Sequence, residues 1–172
     1  MASIPRPAAS LITPYHAEYL KLVPEGDLVA HLERQGVELA AAFAALPEER
    51  GGYRYAPGKW TIKDVVGHII DTERIMAYRL LRVGRGDQTP LPGFEQDDYV
   101  AKAKAGSRTF LDLAAEFRIV RAATLALVRS LEPEAWTRTG IASDNPVLAT
   151  TLAHIIAGHA SHHLDMLKNR YL

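Results

Sequence analysis

The chain has 172 residues, of which 48% are hydrophobic and 23% are charged, the ordinary balance of a globular protein. Its 20 basic residues match its 20 acidic residues, so it lacks the basic excess of duplex-binding proteins, and we expect no nucleic-acid partner. With no cysteine and no apolar run of the ~20 residues that cross a bilayer, the sequence predicts a cytoplasmic protein without disulfides, thiolate metal ligands or membrane contact.

The chain is predicted to form one domain over residues 1–172, and this domain begins with an arm. Residues 1–26 contain four prolines and are predicted to lie on the body as an irregular segment. A long helix is predicted next, over residues 27–46. Asp27 is suited to cap this helix, apolar residues recur in it at helical spacing, and Pro47 ends it.

The second long helix is predicted to begin at a capping box formed by Thr61 and Asp64 and to end at Gly84. The segment that follows, "GDQTPLPGFEQDDYVAKAKAGS", exceeds the ~15 residues of an ordinary loop, and such long loops are often functional. Four arginines near this segment (Arg74, Arg79, Arg82, Arg85) are predicted mainly to form a solvated helix face, with contact to an anionic ligand as the alternative. Three aromatic residues (Trp60, Phe94, Tyr99) are predicted to serve in packing rather than as a substrate cage.

The third long helix is predicted from a second capping box, Thr109 with Asp112, to about residue 131. The fourth is predicted to start with Asn145 as its cap and Pro146 in its first turn, and to run to about residue 170. No segment alternates as a strand does. The sequence therefore predicts an all-α four-helix bundle, with a long crossover loop between the second and third helices.

Four of the seven histidines lie within ten positions of the last helix. On a helical wheel His159 lies at the centre of the apolar stripe, and His163 lies about 40° away, still within it. This H-x-x-x-H spacing can direct two imidazoles to one metal ion. His154 lies on the far side of the helix and is excluded, whereas His162 lies at the edge of the stripe.

Spacing alone leaves two interpretations open, because inward histidines are also found as hydrogen-bonded core residues. The glutamate of the zincin motif is absent, since Ala160 follows His159. A third ligand would favour a metal site, and the candidates are His16, His31 and His68. Of these, His68 flanks the apolar stripe of the second helix and can reach a site between helices, although a half-buried surface histidine gives the same pattern.

Two motifs resemble the DinB-like (damage-inducible) superfamily. "YAPGKWTIKDVVGHIIDTERI" is similar to the start of that family's second helix, and "HIIAGHASHHLDML" is similar to its last helix, with "LPGFEQDDYV" similarly placed between them. The resemblance extends over residues 24–172. It implies a four-helix bundle, usually a homodimer, and a divalent metal, often zinc or nickel, held by three histidines. The matching positions are His68, His159 and His163.

The resemblance also implies a class of activity, because family members include transferases and isomerases that use bacillithiol, mycothiol or glutathione. Three neutral imidazoles leave a divalent ion with an open position, which is the pattern of a catalytic site. We therefore expect a metal-dependent enzyme with a small-molecule substrate and a low-molecular-weight thiol as cosubstrate, acting as an S-transferase. The alternatives are a metal-dependent hydrolase and a non-catalytic metal-binding or dimerisation module, since the sequence identifies no catalytic acid or base. Alanine-rich stretches, "ELAAAFAAL" and "HIIAGHA", add to the expectation of a homodimer.

Overall fold

The computed structural model describes residues 4–8 and 12–172. Within these ranges the chain forms six α-helices and one β-hairpin. The helices are α1 (Pro14–Leu20), α2 (Leu28–Ala44), α3 (Ile62–Gly84), α4 (Gln96–Ala103), α5 (Phe110–Arg129) and α6 (Ala149–Met166), and the hairpin strands are β1 (Thr139–Ala142) and β2 (Asn145–Leu148). The four long helices confirm the predicted four-helix bundle.

Three of the four long helices begin at the capping residues that the sequence indicates. Asp27 caps α2 by accepting hydrogen bonds from the first-turn N–H groups. Thr61 and Asp64 form the complete capping box at α3, with both reciprocal bonds present. At α5 the predicted box is only half formed, because Thr109 accepts from the backbone of Asp112 while the Asp112 carboxylate accepts from Arg108.

The four long helices form a ring in which chain neighbours are not always spatial neighbours. Helices α2 and α3 both pack mainly against α5 and α6, so α2 lies diagonally across the bundle from α3. Contacts between α3 and α5 run in the same order along both helices. Lys63 lies over the ring of Phe110, and Arg121 binds Glu73 further along. Helices α3 and α5 are therefore parallel.

Parallel neighbours require the connecting chain to return along the bundle, and residues 85–109 do this. At 1.5 Å per residue α3 is about 35 Å long, a distance that a short turn cannot span. The predicted crossover is thus confirmed, although the segment is not a plain loop, because it contains α4. The arm is likewise only partly irregular. It contains α1, which packs on α6, while residues 1–3 and 9–11 of the arm lie outside the described range.

The predicted start of the last helix is wrong. Asn145 and Pro146 lie in strand β2, which pairs antiparallel with β1, and α6 begins after Leu148 without a side-chain cap. Ser143 and Asp144 form the turn with φ angles of 51° and 62°. Two consecutive residues with positive φ are typical of the tight turn that joins hairpin strands. The strands are too short and too poor in alternation to stand out in the sequence.

Helix α6 is the centre of the core, because its residues from Ala149 to Ala160 are all buried. Close packing of α1 against it depends on Gly158, since a Cβ atom there would lie 2.1 Å from the backbone oxygen of Tyr19. Within the described ranges, no helix has both the length and the apolar character needed to cross a membrane.

Candidate metal centre

Helices α3 and α6 bring three histidines together inside the bundle. His68 comes from α3, and His159 and His163 lie one turn apart on α6. Their side chains are buried, with 4%, 6% and 7% of the residue surface exposed, respectively. The Nε2 atoms of His68 and His159 are 3.0 Å apart, and one ring nitrogen from each of the three residues lies within 4.8 Å of the others. The structure therefore assembles the three histidines that the family resemblance had selected.

All three imidazoles are held in the neutral form. Burial lowers the pKa of His68 to about 4 and, together with the neighbouring histidines, lowers the pKa of His163 to about 3. Burial also lowers the pKa of His159 well below its ordinary value. Removal from water disfavours the imidazolium form, and the mutual proximity of the rings adds to that cost. Neutral imidazoles present the lone pairs that a metal ion requires.

The ring nitrogens of the three histidines form few hydrogen bonds. Nδ1 of His163 is buried without a hydrogen-bond partner. The hydroxyl of Thr72 is 3.5 Å from both ring nitrogens of His68, which is a weak contact. Buried polar atoms ordinarily find partners, so three clustered imidazoles with so few bonds require another explanation. Nitrogen ligands of a tetrahedral divalent ion lie ~3.3 Å apart, which the observed spacing approaches. The cluster fits one such ion.

Aromatic side chains surround the cluster. The indole of Trp60 packs on the ring of His68 with 4.6 Å between centroids, and it also faces His163 at 6.5 Å. The indole Nε1 donates a hydrogen bond to Asp97 at the start of α4, which links the segment before α3 to α4. Tyr19 of α1 packs edge-on against His159, with 5.5 Å between centroids. Trp60 is thus a packing residue as predicted, and what it packs against is the candidate site.

A cavity of about 730 Å³ opens onto one side of the cluster, where it meets His68 and His159. Its walls come from α1, α3, the crossover segment, the hairpin and α6. Tyr19, Met76, Phe94 and Leu152 supply much of its apolar lining, and Arg79 supplies a cation. Volumes of this size hold small organic ligands. The long segment that joins α3 to α5 therefore contributes directly to the cavity.

The other described histidines lie outside the cluster, as predicted for His16 and His154. Nδ1 of His154 is 2.8 Å from the backbone oxygen of Thr150. His162 is exposed, and its ring contacts Tyr19. His16 lies in α1 and lines the cavity, a position that the irregular-arm prediction did not foresee.

Sequence reasoning missed a buried charge at the cavity. Arg79 was predicted mainly as part of a solvated face, with contact to an anionic ligand as the alternative, but only 6% of its surface is exposed, and it lines the cavity. Spacing contained a signal for this position, because residues 68, 72, 76 and 79 recur at helical intervals along one face of α3. Because the four arginines were treated as one group, the position of Arg79 on the same face as His68 was overlooked.

A four-helix bundle with three inward histidines on two facing helices, beside a small-molecule cavity, defines a class of helical proteins with a candidate metal centre. The family model of the DinB superfamily matches residues 31–167. The chain belongs to the DinB superfamily, and the resemblance noted in its motifs is confirmed.

Two solved structures share the fold. YfiT from Bacillus subtilis, described as a probable metal-dependent hydrolase with an unusual four-helix bundle topology, has 16% identity and a TM-score of 0.72, over 95% of this chain and 89% of that one. A mycothiol-dependent maleylpyruvate isomerase has 12% identity and a TM-score of 0.66, over 85% of this chain and 62% of that one. A comparison with curated proteins gives no match.

Proposed function

We propose that this protein is a metal-dependent enzyme that transfers a low-molecular-weight thiol to a small electrophilic substrate. His68, His159 and His163 would hold one divalent ion, with zinc or nickel the best matches to nitrogen ligands. A bound divalent ion lowers the pKa of a thiol or water enough to supply a nucleophile near neutral pH.

One observation carries the proposal: the neutral histidine cluster opens onto a cavity with room for small organic ligands. A structural zinc site ordinarily has four protein ligands and is closed to solvent. Here the described residues supply three candidate ligands, and two of them face the cavity. A site that is open on one side can admit a reactant, which favours an enzyme over a purely structural centre.

The side chains around the histidines support the chemistry in two ways. Met76, Phe94 and Leu152 give the cavity apolar walls near the histidines, and electrostatic interactions are stronger beside apolar walls than in bulk water. His16 faces the same space, and burial followed by the charge of Arg79 lowers its pKa, so its neutral ring can accept a proton released from the thiol. Sulfur then bonds to the electrophilic carbon, and the leaving group departs with the bonding electron pair.

Thiol transfer is favoured over hydrolysis by the size and lining of the cavity. A thiol and an electrophile must be held together, and about 730 Å³ with both polar and apolar walls can accommodate both. The mycothiol-dependent isomerase with the same fold is consistent with this choice. Hydrolysis is the second candidate, supported by the description of YfiT and by the ability of the same metal site to activate water.

Conjugation assays on untagged protein test the proposal. Metal content is measured first, and then glutathione, mycothiol and bacillithiol are each assayed with chlorodinitrobenzene as a generic electrophile. We expect conjugation that requires metal and falls by at least ~100-fold in His159→Ala. His154→Ala is the matched control, because it removes another buried histidine from the same helix, and it should retain the activity. Equal rates with and without metal would overturn the proposal, and metal-dependent cleavage of a nitrophenyl ester without conjugation would favour the hydrolase.

We also propose that the protein is a homodimer, as the family resemblance implies. The stretch His154–Ala160 is buried within the chain, so the expectation that it contributes an alanine-rich dimer surface is wrong. Support comes instead from α2 and α5, where Val37 is 73% exposed and Ile119 is 71% exposed. Light scattering should give twice the chain mass at micromolar concentration, and a monomer mass would refute the dimer.

A further inference from the structure

Arg79 is a buried cation without a counter-ion. Its guanidinium forms no ion pair with any carboxylate of the described residues, whereas Arg74 and Arg82 on the same helix are both paired. Burial lowers its pKa, although an arginine stays protonated under ordinary conditions. An unpaired buried charge is costly, and buried charges are ordinarily paired, so the cavity beside Arg79 is a place where an anion would offset that cost.

The hydrogen bonds of Arg79 leave most of its donors unused. Nη2 donates to the backbone oxygen of Pro92 at 2.8 Å and to the hydroxyl of Ser143 at 3.0 Å, which ties the crossover segment to the hairpin turn. Nη1 has only a contact of 4.0 Å with the sulfur of Met76. A guanidinium has five N–H donors. The two bonds at Nη2 hold the group in place, with its Cζ 5.8 Å from the centre of the Phe94 ring. Among the described residues, Nη1 and Nε have no oxygen acceptor.

Arg79 and the histidine cluster lie at different points of one cavity. His68, Thr72, Met76 and Arg79 follow one another along the same face of α3, and all four line the cavity. Eleven residues separate His68 from Arg79 in the numbering, which corresponds to about 16 Å along the helix axis. A ligand with a reactive group at the histidines can therefore extend along α3 and place its other end at the guanidinium.

The charge balance of the cavity favours a carboxylate at that end. Among the described residues that line it, Arg79 is the sole arginine or lysine, and Glu95 is exposed at the rim. One guanidinium balances one monoanion, and its planar fork matches the two oxygens of a carboxylate. A phosphate monoester carries more negative charge than one arginine offsets.

The geometry points to Arg79 as the binding site for the carboxylate of a small, extended ligand whose other end reaches the histidine cluster. The cavity thereby selects carboxylate-bearing thiols or electrophiles over neutral ones. The assignment of the reactive end rests on the proposed function. The carboxylate site does not, because it depends on Arg79 alone.

Calorimetry with matched probes tests the carboxylate site first without metal. Hexanoate and hexanol differ only in the charged group, and metal-free protein should bind hexanoate at least ~10-fold more tightly, as expected for a charge-assisted pair. Arg79→Met should abolish this preference and leave hexanol binding unchanged, which would show that the cavity is intact. Arg79→Lys should restore part of the preference. Arg85→Gln is the control, because Arg85 is exposed on the outer surface at the end of α3.

The second arm uses zinc-loaded protein and mercaptohexanoate, mercaptoundecanoate and their alcohol analogues. If one ligand reaches both ends of the cavity, the acid should be preferred over the alcohol, and the preference should depend on chain length and disappear in Arg79→Met. A hexanoate preference without any thiol binding would retain the carboxylate site and reject the thiol function. Equal binding of hexanoate and hexanol by the wild-type protein, or an undiminished preference in Arg79→Met, would overturn the inference.

Discussion

Two buried polar clusters occupy the same bundle, and they differ in how completely their polar atoms are bonded. In the first, Arg121 forms a double ion pair with Glu73 at 2.7 and 2.9 Å, and its Nη1 donates to Gln35 and to the backbone oxygen of Leu32, both at 3.0 Å. In the second, the three histidines have one short mutual contact, and Nδ1 of His163 has no partner.

This difference separates a buried cluster that stabilises the fold from a buried cluster that can bind a ligand. The cluster around Arg121 neutralises its own charge and lies away from the cavity, so it acts as an internal crosslink between α2, α3 and α5. The histidine cluster has unused ligand atoms and opens onto the cavity. Burial and polarity are shared by both clusters. The histidine cluster is the candidate site because its ring nitrogens form few hydrogen bonds and lie beside an accessible cavity.

The largest expected effect is on folding, from Arg121→Met. This change leaves the Glu73 carboxylate buried without its partner, and breaking a buried pair in this way destabilises proteins by about 3–5 kcal/mol. Urea denaturation measures the loss. Replacing both residues, as Arg121→Met with Glu73→Leu, should recover much of it, because no charge then remains unpaired. A single replacement that is neutral would show that the cluster is not a structural crosslink.

Replacing a histidine of the other cluster should reduce metal binding and activity while the protein stays folded. His68→Ala and His159→Ala should lose most of their bound metal and at least ~100-fold of any activity, yet remain helical and fold cooperatively, because removal of a buried imidazole relieves its own desolvation. Circular dichroism melting and metal analysis on the same samples check both statements. Unfolding of His159→Ala, with wild-type protein folded only when metal is present, would instead indicate a structural metal.

The histidines should also make the metal-free protein sensitive to acid. Unfolded histidine has a pKa near 6.5, whereas burial holds the pKa of His68 at about 4. Above pH ~6.5 neither state takes up a proton. Between pH ~6.5 and ~4 only the unfolded state takes up a proton. As the pH is lowered through this range, the free energy of unfolding therefore decreases by ~1.4 kcal/mol per pH unit for each such histidine. Urea titrations across this range should show a shallower slope for His68→Gln, and an unchanged slope would contradict the assignment.

The smallest effect is expected where the two clusters meet. Gln35 accepts a hydrogen bond from Arg121 and donates to the backbone oxygen of Ala157 and to Ser161, both on α6 beside His159. Gln35→Leu should destabilise the protein by ~1–3 kcal/mol, since it leaves buried groups unpaired. Metal affinity should fall by less than ~10-fold, because Gln35 orients α6 without touching the histidines. A larger fall, measured by competition with a chelator, would mean that the clusters are strongly coupled.

Local signals in the sequence predicted the long helices and the histidine spacing, because caps and periodicity act over a few residues. Asp27 and Thr61 mark helix starts wherever the helices later pack. The same reasoning placed His159 and His163 on one inward face. It could not choose His68 as their partner, and the family motif supplied that choice before the structure brought the three rings together.

Tertiary structure decided the features that depend on residues far apart in the chain. Gly36 leaves room for Arg121, since a Cβ atom there would lie 2.8 Å from Cγ of that side chain, and nothing near Gly36 in sequence announces this contact. Arg79 is buried because the crossover segment and the hairpin turn fold over it. The sequence by itself determined the helices and their inward faces, which follow from short-range geometry. The packing of distant segments decided which buried charge is neutralised and which one faces the cavity.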